Sequence, residues 1–90
     1  MAIKHFLSHL FTGPILSLRF KQLKREGLSN QKSLVALIKE ASVNSKEITE
    51  QGIKETVGEC IQILGLSAED YNVVAEELKS FYAGIGKLSK

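Results

Sequence analysis

The stretch PILSLRFKQLKREG, residues 14–27, decides how this chain of 90 residues folds. Pro14 suits the first turn of a helix, where a backbone N–H has no intrahelical partner, and Gly27 suits the left-handed turn that ends one. Lys24 and Arg25 fall in the last turn, where positive charge complements the helix dipole. These signals predict a helix. A second pattern competes with it, because Leu16, Leu18 and Phe20 alternate with Ser17, Arg19 and Lys21 in the period of a strand. A lone strand over residues 15–21 needs a partner, and an otherwise helical chain supplies one only from a second subunit. The helix is the primary expectation and the intersubunit β-strand the alternative.

The neighbouring segments favour helix. Upstream, before the break Thr12-Gly13-Pro14, the residues Ile3, Phe6, Leu7, Leu10 and Phe11 follow the i, i+3, i+4 spacing of an amphipathic helix. Downstream, Ser29 or Asn30 can cap a helix whose buried side is Leu34, Val35, Leu37, Ile38 and Ala41. After the interruption at 42–45, Ser45 can cap another, with Ile53, Val57, Cys60, Ile61 and Leu64 in a stripe ending at Gly65. Gly52 and Gly58 inside it each cost about 0.5–1 kcal/mol relative to alanine, which points to close packing or a kink. Ser67 followed by Asp70 has the spacing of a capping box and opens a last helix through Tyr71, Val74, Ala75, Leu78, Phe81, Tyr82 and Ile85.

The expected fold is therefore all-α: one domain over residues 1–90, a compact bundle of four to five short helices. Its core is expected to hold Leu34, Ile38, Ile53, Val57, Ile61, Leu64, Val74, Leu78 and Phe81. The tail GIGKLSK, 84–90, carries two glycines and is expected to be flexible. No internal repeat is evident along the chain.

With 43% hydrophobic and 24% charged residues, the composition is that of a globular protein. Lys4, His5, Ser8 and His9 interrupt the apolar start, which argues against a signal peptide, and no run reaches the roughly 18–20 apolar residues of a membrane span. A basic start whose first acid is Glu26 also has the composition of a mitochondrial presequence. The single Cys60 cannot form an internal disulfide and fits a reducing, cytoplasmic setting. A domain this small often gains stability from a second subunit, so a homodimer or other homo-oligomer is a natural expectation.

The net charge of +2 conceals an asymmetry. Residues 1–39 carry seven basic side chains against Glu26 alone, whereas residues 40–90 carry five lysines against nine acids. Such a chain either steers toward a charged partner or docks one half on the other.

Catalytic and metal chemistry find little support. His5 and His9 have the four-residue spacing of a zinc-protease helix, but Phe6 stands where that motif has its general base and no third histidine exists. Cys60 on an apolar stripe reads as a core residue rather than a nucleophile. Neither TGP nor GIGK has P-loop spacing, and residues 68–72 lack the glycine and terminal glutamate of a calcium loop. No catalytic residue, metal ligand, cofactor or small-molecule substrate is expected. A helix-turn-helix overlay on residues 28–48 puts bulky Ile38 at the tight packing position and Ser42 where the turn glycine usually lies.

The remaining signal is the basic, apolar segment itself. As a helix, Ile15, Leu16, Leu18, Phe20 and Leu23 span an arc of roughly 200°, wider than one core contact requires. The leading expectation is a small non-enzymatic interaction or regulatory module. It binds a protein partner, a second copy included, through Ile15, Leu18, Arg19, Lys21, Lys24 and Arg25. Arginine at 19 offers a planar fork of donors to a carboxylate or phosphate. The alternatives are nucleic-acid binding through the cluster from Arg19 to Arg25, and peripheral binding to an anionic membrane.

Overall fold

The computed structural model describes residues 13–43 and 47–89, with side chains from Leu16 onward. The order is α1 (Gly13–Arg25), α2 (Asn30–Ala41), β1 (Ile48–Thr49), α3 (Glu50–Leu64), α4 (Glu69–Gly84) and β2 (Leu88–Ser89). The all-α expectation holds, with four described helices and one small parallel bridge in which Ile48 pairs with Leu88 and Thr49 with Ser89. The helix expected over residues 3–11 lies outside the described residues.

Residues 15–21 are helical, which corrects the strand alternative. Leu16, Phe20 and Leu23 recur at i, i+4 and i+7 and are all buried, while Leu18 points out, so helical spacing overrides the local alternation. Gly27, at φ 91, turns the chain out of α1 as its N–H donates to the Lys24 carbonyl at 3.0 Å. Ser29 caps α2, its hydroxyl accepting from the Lys32 N–H at 3.1 Å.

Two capping expectations change. The cap of α3 is Thr49, whose hydroxyl accepts from the Gly52 N–H at 2.9 Å, while Ser45 lies outside the described residues. A Cβ at Gly52 would sit 3.1 Å from that same hydroxyl, tighter than ordinary contact. At α4, Ser67 accepts from the Glu69 N–H at 3.2 Å, but Asp70 accepts from Gln31 Nε2 at 3.0 Å instead of closing a capping box. The carboxylate thus ties α4 to the start of α2.

The order of the described elements repeats. Each half runs helix, Gly-Leu-Ser, helix, two-residue strand: Gly27-Leu28-Ser29 joins α1 to α2, and Gly65-Leu66-Ser67 joins α3 to α4. Both glycines have positive φ. Along α2 and α4, several buried positions lie 40 apart, the separation of Ser42 and Tyr82. Leu34 and Val74, Ile38 and Leu78, and the bridge pair Ile48 and Leu88 all correspond at that offset.

The packing follows the same plan. Helix α1 packs on α2 and α3, and α4 packs on α2 and α3, so α1 and α4 take opposite corners of a four-helix ring. Leu34, Ile38, Ile53, Val57, Val74 and Leu78 are fully buried as expected, and Ile61, Leu64 and Phe81 lie half-buried against them. Leu16, Phe20, Leu23, Leu37, Ile48, Cys60 and Tyr82 are also buried in the core.

At the strand end of the ring the tail is held by polar contacts. Ser42 donates to the Lys39 carbonyl at 3.1 Å and shares a buried hydrogen bond with the Tyr82 hydroxyl. The Lys87 ammonium reaches the Val43 carbonyl at 3.1 Å, just past the end of α2, and the Ile48 N–H donates to the Lys87 carbonyl at 2.9 Å. Residues 84–90, read as a flexible tail, therefore include a paired segment at Leu88–Ser89.

Candidate interaction face

Helix α1 divides by period. Leu16, Phe20 and Leu23 fill the core, and the opposite stripe holds Leu18, Lys21 and Arg25, with Lys24 exposed at its flank. Leu18 is 61% exposed, a large apolar side chain directed at water. Its neighbours Lys21, Lys24 and Arg25 form no ion pair among the described residues. Ile15 lies in the first turns of α1.

Arg19 occupies a different position. Its Nε donates to Glu40 Oε1 at 2.9 Å and its Nη2 to Oε2 at 2.7 Å, a bidentate pair across α1 and α2. Nη1 donates to Gln22 at 3.1 Å. The bond from Arg19 holds the Glu40 carboxyl below the usual carboxylate range, and the same bond raises the guanidinium further. The fork expected to meet a partner thus already meets a carboxylate of its own chain. A sequence signal for this existed: a four-residue connection between α1 and α2 makes an antiparallel hairpin, which brings residues near 19 beside residues near 40.

The other cations divide unevenly. Lys39 lies over the Phe81 ring at 4.1 Å, while Lys54 and Lys79 share Glu50 at 3.7 and 3.3 Å. Among the described residues, the basic charge left facing water is concentrated at Lys21, Lys24, Arg25 and Lys32. On the far corner, α4 presents Glu69, Val73, Glu76 and Glu77 on its exposed side, with Val73 46% exposed.

The helix-turn-helix overlay does not fit this geometry. Such units join their helices by a turn of about three to four residues, whereas β1 stands between α2 and α3 and Ile48 is buried in the core. Cys60 is buried in α3, and burial pushes its thiol up to about 12, which keeps it protonated at neutral pH. His5 and His9 lie outside the described residues. Among the described residues no group of three histidine, cysteine or acidic side chains could hold a metal ion, and no helix is long and apolar enough to cross a membrane.

The chain matches no protein-family model, no curated protein and no solved structure. The functional reading therefore rests on this geometry and its chemistry.

Proposed function

We propose that the chain is a small non-enzymatic interaction module that binds a protein partner through the outward face of α1. The observation that carries this reading is Leu18, exposed on a helix whose Leu16, Phe20 and Leu23 are buried, and bordered by Lys21, Lys24 and Arg25. An apolar contact ringed by cations suits a partner surface of matching apolar and acidic character. Arg19 acts in this reading by fixing α1 on α2 through Glu40, and the recognition contacts are Leu18, Lys21 and Arg25. A cytoplasmic setting is part of the proposal, supported by the single, buried, reduced Cys60.

The test immobilises the full chain and a variant carrying Leu18→Asp and Arg25→Glu, and compares capture at two salt concentrations. A protein retained by the first at moderate salt and lost by the second supports the proposal, because apolar area contributes to the contact. Two results overturn it: binding to duplex DNA or RNA that falls steeply as salt rises, and binding confined to vesicles containing anionic lipid.

A further inference from the structure

The α1 face has a complement on the same molecule. On α4, Glu69, Val73, Glu76 and Glu77 share the exposed side, so one apolar side chain stands among carboxylates spaced by single helical turns. On α1, Leu18 stands among cations at the same spacing. Each face has what the other lacks. Neither set forms an ion pair among the described residues, whereas Lys79 of α4 and Lys54 of α3 both meet Glu50.

The ring keeps the two faces apart. Helices α1 and α4 stand at opposite corners with α2 and α3 between them, so one molecule cannot close its own basic face on its own acidic face. We infer that a second copy of this chain docks its acidic α4 face on the basic α1 face of the first, joining identical chains head to tail. The inference rests on the reading of α1 as the partner face and names the partner. In the docked pair Leu18 meets Val73, and Lys21 and Arg25 come within a turn or two of Glu69, Glu76 and Glu77. Because the two surfaces are different patches, each added copy leaves one basic and one acidic face free. The assembly grows instead of stopping at a two-fold dimer.

Sedimentation of the full chain at low and moderate salt tests this with two variants of exposed residues, each first checked for wild-type circular dichroism. One variant carries Lys21→Glu and Arg25→Glu; the other carries Val73→Asn, Glu76→Gln and Glu77→Gln. The wild type is expected to exceed its monomer mass of 9.9 kDa and to grow with concentration past two chains. Each variant alone is expected to stay monomeric. An equimolar mixture is expected to form a two-chain species and stop there, since only one intact face of each kind is present.

A wild type that stays monomeric throughout overturns the inference. So does a dimer that saturates at two chains and is not restored by mixing the variants. If the wild type is monomeric yet captures a different protein, and Leu18→Asp with Arg25→Glu abolishes that capture, self-docking falls while the α1 reading stands.

Discussion

The two halves of the molecule share a plan and differ in charge. Both run helix, Gly-Leu-Ser, helix, strand, and both bury apolar side chains at corresponding positions, Leu34 with Val74 and Ile38 with Leu78. Their outward charge differs. The outward face of α1, the first helix of one half, is basic around Leu18, and that of α4, the second helix of the other, is acidic around Val73. The turn glycines and several buried apolar positions are tied to the fold by φ and by packing, so they match. Exposed positions carry little of that constraint. The difference between the halves is therefore where binding specificity can reside.

The largest effect tests whether the halves share one core. Leu34→Ala should cost about 2–5 kcal/mol, as expected for a fully buried leucine, and Val74→Ala somewhat less because fewer carbon atoms are lost. Denaturant unfolding should show both as one cooperative transition with a lower midpoint. Two separable transitions, or a Val74→Ala variant as stable as the wild type, would break the comparison by making the second half peripheral.

A second experiment concerns the helix ends, where the halves differ in chemistry. Helix α1 buries Leu23 two residues before its end, and α3 buries Cys60 four residues before its end. The folded thiol is pushed up to about 12 from its ordinary 9.0, chiefly by burial and then by the charge of Glu59. A raised acid keeps its proton in the folded state while the unfolded chain releases it. The stabilising contribution is thus complete below about pH 9 and is lost as pH rises toward 12. Near pH 10.5 the loss should be about 2 kcal/mol. Cys60→Ala should be less stable at neutral pH but should lose less between pH 8 and 10.5 in urea titrations. Tyr82, raised by burial against the opposing bond to Ser42, adds a loss of the same sign in both proteins. Equal alkaline slopes would remove Cys60 as the source.

Much of this fold is legible in the sequence because it is carried by local rules. Gly27 and Gly65 mark helix ends, Ser29 caps α2, and the stripes through Leu34, Ile53 and Val74 give the core faces. What is not legible depends on contacts between distant segments. The bridge between Ile48 and Leu88 joins two-residue strands too short to leave a periodic pattern. Asp70 has capping-box spacing, and only the approach of Gln31 from α2 diverts it. The repeat is hard to see because side chains at its matching positions differ in size, Ser42 against Tyr82 being the clearest case. On the candidate face the sequence places Leu18, Lys21, Lys24 and Arg25 correctly on a helix with excess apolar arc. It cannot separate them from Arg19, whose role is set by Glu40 on another helix.

Arg19 gives the smallest expected effect, and it bears directly on how the basic half works. Both members of the pair with Glu40 are substantially exposed, so water and salt screen the attraction and Arg19→Gln should lower the melting temperature only slightly. The pH dependence is the sharper readout. The folded Glu40 carboxyl lies below its ordinary 4.5, so its contribution is present above that pH and is lost as pH falls through the folded value. Arg19→Gln should flatten this acid-side loss. If Arg19 serves only to hold α1 on α2, the variant should keep wild-type association, whereas Arg25→Glu should weaken association without touching the acid slope. The opposite pattern, association lost in Arg19→Gln with the acid slope intact, would make Arg19 a recognition contact. The pair with Glu40 would then be a resting arrangement that a partner's carboxylate replaces.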